Sequence, residues 1–403
     1  MLIELKFKNF LSYRDETRLL MTNVRSFKEL AETNIIRTKR NIQLLKTAAL
    51  FGSNGGGKTN FILAMSHMKD TIHNSFSDSL KKIEDRDTRD YSFQLSSTST
   101  GEPIMFEVTF LKENIIYRYG FEIHEHEIVS EWLFKKVEVE TLLFKRKFLE
   151  FKINNSGFPE GNKHKKEVNS NVLFLSHLAQ HNTPEAKNIF SWFEDMNVIS
   201  ALDNRHYKNV TSLYLRNDAK FKAWLILAVR FLEIASIELS EENDEIITYH
   251  NKFDENNVII DTVPFRLSLE ESQGTRKLIY LLGAIYDTLK YGRILFIDEL
   301  DSKLHPNLSR KLVEFFHKLN QNGAQIIFTA QDATLLNKEL FRRDQIWFVD
   351  KNQFGVSELY SMSEFDSNVV RNTSDFRKKY LESVFGAANT IEITEDLIAL
   401  MNG

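Results

Sequence analysis

The chain has 403 residues, 42% hydrophobic and 27% charged, with a formal net charge of -4. That is enough for a large packed core, and it gives no global basic field pointing to nucleic acid. There is no cysteine, which excludes disulfides, thiolate metal sites and a cysteine nucleophile and suits a cytoplasmic protein.

Leu2 to Phe10 alternates apolar and polar residues, which predicts a half-buried strand, and Ser12 to Leu20 continues as a hairpin partner. No secretory leader and no apolar run long enough to span a bilayer is visible, so no membrane association is expected. Asn23 to Arg40 is polar and less regular. Leu44 to Phe51 is an apolar run that reads as a buried strand. It leads into Gly52-Ser53-Asn54-Gly55-Gly56-Gly57-Lys58-Thr59, which fits the phosphate-loop pattern G-x-x-x-x-G-K-[ST]. Asn60 to Met68 follows with apolar residues at helical spacing, so the motif stands between a strand and a helix, as it must.

The chemistry of that motif is direct. Glycines let consecutive backbone N–H groups turn toward an anion without a Cβ in the way. The helix behind them begins with unpaired N–H groups and the positive end of its dipole. Lys58 would reach the β- and γ-phosphates of a nucleotide, and the Thr59 hydroxyl would ligate Mg²⁺.

Tyr91 to Leu95, Ile104 to Leu111 and Ile115 to Ile123 alternate again and predict an antiparallel meander, with Lys112-Glu113-Asn114 as a turn. Trp132 to Phe151 continues in β character, and Asn154 to Lys166 reads as a polar, glycine-bearing loop. Basic clusters at Lys135-Lys136, Lys145-Arg146-Lys147 and Lys163 to Lys166 read as solvated edges before they read as a DNA groove. Val172 to Leu178, Ala186 to Met196 and Asp218 to Ile234 have helical spacing, so 170–245 is expected to be a helical insertion between an N-terminal part, 1–169, and a C-terminal part, 246–403. Ile246 to Ile260 returns to strands. Ser272 to Lys290 and Asn307 to Leu319 predict helices, while Arg293 to Ile297, Ala324 to Thr329 and Gln345 to Asp350 predict buried strands. Alternation of this kind argues for an α/β fold with a largely parallel sheet.

Two further groups carry chemistry. Ile294 to Ile297 ends in Asp298-Glu299; a buried parallel strand would deliver Asp298 to the ligand end of the sheet, to hold Mg²⁺, with Glu299 beside it to polarise an attacking water. Ser272-Gln273-Gly274-Thr275 opens a helix with a hydroxyl and free N–H groups; alone it reads first as a simple N-cap with a glycine, and placed 26 residues before Asp298 it reads as a second anion site at Ser272, Gly274 and Thr275.

In this order, phosphate loop, Ser-x-Gly-Thr, apolar-Asp-Glu and then Leu300-Asp301, the sequence resembles the ABC-type ATPase heads of the RecF, SMC and Rad50 group. Within that group it looks most like the bacterial RloA/AbiL-type ATPases, of the OLD-like AAA ATPases found in phage-defence operons. The matching residues include Asn9-Phe10, Gly52 to Asn60, Tyr117 to Glu122, Glu271 to Lys277, Asp298 to Pro306, Phe328-Thr329, Arg342 to Phe348, Tyr380-Leu381 and Gly386-Ala387. The resemblance implies an ABC-type head with a mixed sheet, an antiparallel β-subdomain and the helical insertion. It implies ATP and Mg²⁺, and a head-to-head homodimer or higher oligomer in which Lys58 of one copy shares a nucleotide with Ser272 and Gly274 of another, Asp301 lying at the seam. It also brings Asn60 into the nucleotide site. Such heads place a histidine after the strand that follows the Asp-Glu pair; here Gln331 stands in that position. Glutamine can hydrogen-bond but cannot carry a proton, so slow turnover or a nucleotide-held clamp is expected. The Mg²⁺-sensing glutamine falls by position on Gln94.

Relatives of this kind imply a switch for a separately encoded, nuclease-like effector, and possible DNA contact. A self-contained nuclease of the OLD class would need a Toprim domain of roughly 100 residues with an Asp-x-Asp cluster, which the stretch after Asp350 does not offer. A long-armed clamp would need sustained heptads, which 170–245 lacks. An arm-free, RecF-like DNA-repair ATPase is the alternative that stays open.

Overall fold

The computed structural model describes residues 1–80, 89–200, 205–240, 242–366, 368–371, 373–388 and 394–402. In chain order, β1 (Leu2–Lys8) and β2 (Thr17–Leu20) form the expected hairpin, followed by one helical turn, α1 (Ala31–Asn34). The run from Leu44 to Phe51 is two strands rather than one. β4 (Gln43–Leu45) pairs back on β3 (Ile35–Arg37), and β5 (Thr47–Gly52) leads to the glycine loop. α2 (Lys58–Ser79) leaves the loop and runs well past the predicted helix. The meander is β6 (Ile104–Lys112), β7 (Ile115–His124), β8 (Glu127–Lys136), β9 (Glu140–Lys147) and β10 (Glu150–Ile153). Its first turn puts Glu113 and Asn114 at φ 51° and 61°, the left-handed pair that matches the twist of a hairpin.

α3 (Pro159–His164), α4 (Phe174–Gln180), α5 (Pro184–Glu194), β11 (Met196–Ile199), α6 (Arg205–Asn217) and α7 (Ala219–Ala228) come next, then the antiparallel trio β12 (Ile234–Leu239), β13 (Ile246–Phe253) and β14 (Ile259–Arg266). The last third holds α8 (Gln273–Tyr291), β15 (Ile294–Ile297), α9 (Pro306–Leu319), β16 (Gln325–Thr329), β17 (Ile346–Lys351), β18 (Ser357–Ser361), α10 (Phe376–Leu381) and α11 (Glu395–Asn402).

Two large sheets result. One is antiparallel, in the order β10-β9-β8-β7-β6-β1-β2. The other, β11-β15-β16-β5-β17-β18, is parallel except for its last pair. The fold is α/β with a mixed sheet and an antiparallel β-subdomain. Every residue of β5, β15 and β16 is buried. Ala48, Leu50, Phe296 and Ile327 face a core shared with the antiparallel sheet, while Ala49, Phe51, Leu295 and Phe328 face a second core built on α8 and α9. The mixed sheet is therefore the middle layer, and its strands read as unbroken apolar runs because both faces are covered. α2 is rich in weak helix formers such as Thr59, Asn60, Ser66 and Asn74. Packing holds it: Phe61, Ile62, Met65, Met68 and Ile72 are all buried, each contributing roughly 1.5–3 kcal/mol.

Three further expectations differ from the structure. Tyr91 to Leu95 is not a strand. The Asn9 side chain occupies the backbone groups there, accepting from Phe93 N at 3.1 Å and donating to Ser99 O and Glu102 O at 2.8 Å, so the segment is pinned without a ladder. Asn154 to Lys166 contains α3, started by Pro159 at its first turn, where proline's fixed φ suits a helix. The 170–245 segment holds helices and also two strands: β12, and β11, which lies at the edge of the middle sheet, Met196 opposite Ile294; the four residues of β11 are too few for a periodic signal.

Candidate functional site

β5 and β15 flank β16 and run parallel to it, so both end at the same end of the sheet. At the end of β5 the chain must pass close to β17: a Cβ on Gly52 would lie 2.1 Å from Val349 O. Gly57, at φ +119°, would drive a Cβ to 2.3 Å from Ser357 Oγ. A side chain is excluded at both positions by backbone geometry or by contact. The loop is braced from behind. Ser357 Oγ lies 2.6 Å from Gly56 O and 2.7 Å from Ser12 Oγ, Asn60 Nδ2 donates to Ser12 Oγ at 2.8 Å, and Tyr13 OH donates to Gly57 O at 3.1 Å.

Lys58 Nζ bends over its own loop and donates to Gly52 O at 2.7 Å and Ser53 O at 3.0 Å. Burial lowers its pKa, and the nearby Asp298, Asp301 and Glu299 pull it partly back. Asp298 is 2% exposed; its Oδ1 accepts from Thr329 Oγ1 at 2.7 Å, and its Oδ2 has no partner. Thr329 Oγ1 also accepts from Glu299 N at 2.7 Å. One hydroxyl thus fixes both acids. Glu299 sits at φ 51°, a left-handed conformation that costs roughly 1–2 kcal/mol in a residue with a Cβ. It is held there at both backbone ends, by Thr329 at N and by Lys277 Nζ at O, 2.5 Å. Gln331 Nε2 donates to Glu299 Oε1 at 2.9 Å. Lys277 also donates to Ser302 O and Oγ, and burial brings its pKa down to about 8 against the pull of Asp301 and Glu299.

A cleft of about 520 Å³ is lined by Ser53, Asn54, Gly55, Gly57, Lys58, Thr59 and Asn60 of the loop and by Glu299, Gln331 and Lys351. Asp298 is buried outside this lining, close enough to Lys58 to act on its charge. The glycine loop, Thr59, Asn60, Glu299 and Gln331 are therefore brought together. Gln94 is not in this lining; its amide donates to Asp90 Oδ2 at 2.8 Å and to Ser92 O and Oγ. Asp301 is buried within the chain, where Oδ2 accepts from Gln331 N and Asp332 N, so it is not presented at an open surface. Ser272 caps α8, accepting from Thr275 N at 3.0 Å, and lines with Gly274 and Thr275 a separate, largely apolar cavity of about 620 Å³. The glycine loop and the Ser272 turn therefore line separate cavities within one chain. Sequence reasoning missed Ser12, Ser357, Lys351 and the bridging role of Thr329.

The donor set suits a nucleotide with a hard divalent cation: a glycine cradle, a buried ammonium, the Ser53 hydroxyl without a partner and a buried carboxylate oxygen without one. No curated protein matches this chain. Among solved structures, an SmcHead bound to the C-winged helix domain of ScpA is similar at 12% identity, TM-score 0.48, covering 92% of this chain and 99% of that one. An SMC head domain from Thermotoga maritima gives 15% identity, TM-score 0.41 and coverage of 89% and 98%. An Smc head domain with an extended coiled coil, bound to the C-terminal domain of ScpA and derived from Pyrococcus furiosus, gives 14%, 0.46, 95% and 99%. The family described as "AAA domain, putative AbiEii toxin, Type IV TA system" matches residues 48–337, more than two thirds of the sequence, and the chain belongs to that family.

Proposed function

We propose that this chain binds ATP with Mg²⁺ in the cleft beside the glycine loop and hydrolyses it, as an ABC-type head of the RloA/AbiL kind. The observation that carries the reading is convergence: Lys58, Thr59, Glu299 and Gln331 line one cleft, and Asp298, whose charge acts on Lys58, keeps an unpartnered oxygen. Thr59 and Asp298 would hold Mg²⁺, which when bound offsets phosphate charge. Lys58 exchanges the carbonyls of Gly52 and Ser53 for phosphate oxygens. Glu299 orients the attacking water and accepts its proton, and Gln331 holds the carboxylate by its Oε1. Because Gln331 carries no proton, turnover is slow.

Ser272 and Gly274 lie outside this cleft, which supports a site completed by a second copy. The matched family's description names a type IV toxin–antitoxin system. That supports the further reading of a nucleotide switch for a separately encoded, nuclease-like effector in anti-phage defence.

The test mixes Lys58→Ala chains with Ser272→Arg chains, each inactive alone. A heterodimer assembles one intact site and one doubly broken site, so partial recovery of ATP hydrolysis is expected. No recovery, with heterodimers confirmed by native mass measurement, contradicts shared sites.

A further inference from the structure

Away from the cleft, beside the C-terminal end of α2 where Phe76 meets His177, three histidines surround one carboxylate. His164 is the last residue of α3 and Glu167 follows one turn later, Glu167 N donating to His164 O at 3.0 Å. His177 and His181 lie one helical turn apart at the end of α4, with His181 N donating to His177 O at 3.2 Å, so both rings leave the same face. Glu167 Oε2 is 3.0 Å from His164 Nδ1, 3.8 Å from His181 Nε2 and 4.0 Å from His177 Nε2. One ligand atom from each of the four residues lies within 4.8 Å of all the others.

A plain hydrogen-bonded cluster does not account for this arrangement. Glu167 takes a hydrogen bond from His164, but His177 Nε2 is buried and makes no hydrogen bond, the Glu167 carboxylate lying too far off at 4.0 Å. The His177 side chain is 5% exposed and aims that nitrogen at the cluster. Buried ring nitrogens without partners are rare in folded proteins and ask for an explanation.

We propose that His164, Glu167, His177 and His181 bind a zinc ion. Three imidazoles and a carboxylate suit a borderline first-row ion rather than Mg²⁺ or Ca²⁺, which prefer oxygen throughout. Tetrahedral zinc with bonds of about 2.0–2.1 Å places its ligands roughly 3.4 Å apart. The cluster needs to contract by little more than an ångström, and the two partly exposed members, Glu167 and His181, have room to move. Four protein ligands fill the coordination shell, so the site is structural, with no position open for chemistry.

The framework is set before the ion arrives. Glu131 holds the start of α4, accepting from Phe174 N at 2.7 Å and Leu175 N at 2.9 Å. Ser176 Oγ donates to Ile72 O at 2.6 Å, which ties the same helix to α2. Zinc would therefore staple the segment leaving the antiparallel sheet to a helix seated on α2. The inference rests on none of the nucleotide-site reading.

The experiment uses the full chain, stripped with chelator and dialysed, with Mg²⁺ in excess to occupy hard sites. Cobalt(II) is titrated as a spectroscopic stand-in and then displaced with zinc. One equivalent per chain, giving the strong visible bands of a tetrahedral ion, is expected. His181→Ala and Glu167→Gln should each weaken zinc binding by about 100-fold or more, since even the loss of an outer-shell partner costs 10–100-fold. Both side chains are partly exposed, so an unchanged circular dichroism spectrum is expected and checks the fold. Zinc should also raise the melting temperature of the parent and not that of His164→Ala/His181→Ala. Absence of stoichiometric uptake by the parent, or uptake by the double variant equal to the parent's, overturns the assignment.

Discussion

Thr329→Val removes one hydroxyl and leaves the shape of the side chain. In the structure that hydroxyl donates to Asp298 Oδ1 and accepts from Glu299 N, each at 2.7 Å. Valine fills the same volume, so no cavity term is added. Asp298 is buried, and its remaining oxygen already lacks a partner. Leaving Oδ1 unpaired costs about 1–3 kcal/mol, whereas Glu299 N is only half-buried and can find water. A loss of about 2 kcal/mol in equilibrium urea unfolding follows. The Glu299 backbone, held left-handed, also loses its pin at N, and its carboxylate drifts from the cleft. A misplacement of about 1 Å costs on the order of 100-fold in rate. ATP hydrolysis should therefore fall by that order in kcat with little change in KM, and Thr329→Ser should restore both stability and rate. A valine variant as stable and as fast as the parent would refute the reasoning.

Two other outcomes follow from buried bases. Lys58→Met should weaken ATP binding, read by calorimetry, by about 10- to 150-fold, the worth of one charge-assisted hydrogen bond of about 1.5–3 kcal/mol. The same variant should unfold within about 1 kcal/mol of the parent, because burial holds the ammonium below its ordinary pKa and the charge is therefore a cost to the empty fold at neutral pH. His317 lies 2.6 Å from Thr47 Oγ1 and is held at about 3 by burial and by Lys46. A folded pKa below the ordinary value near 6.5 means that the unfolded chain takes the proton first. Stability is then full above pH 6.5 and falls toward pH 3, by about 2 kcal/mol at pH 5. Urea unfolding at pH 7 and pH 5 should show that slope in the parent and a shallower one in His317→Asn; equal slopes would count against it.

What the sequence makes legible is what lies close together in it. The eight residues from Gly52 to Thr59 declare a loop, and Asp298-Glu299 at the end of four apolar residues declares the tip of a buried strand. Unbroken apolar runs report burial on both faces, which is why the middle sheet was readable apart from its edges. β11 and β18 are short and lie at those edges, and neither carries a pattern long enough to be seen. The braces of the loop are invisible for a different reason. Ser12 and Ser357 touch although 345 positions separate them, and no local spacing encodes that. Asn9 shows how a single side chain can undo a pattern: Tyr91 to Leu95 alternates like a strand, yet its backbone partner is an asparagine amide. Gln94 rests on position alone, and in this structure it lies outside the cleft lining.

The most direct test of nucleotide hydrolysis at this site is phosphate release under single-turnover conditions, in the parent and in Glu299→Gln. The substitution keeps the shape and the acceptor for Gln331 and removes the carboxylate. The parent should release phosphate from ATP in the presence of Mg²⁺. Glu299→Gln should bind ATP equally well and release phosphate about 10²–10⁴-fold more slowly, the usual worth of a positioned base. A glutamine variant as fast as the parent, or a parent that binds no ATP, would contradict it.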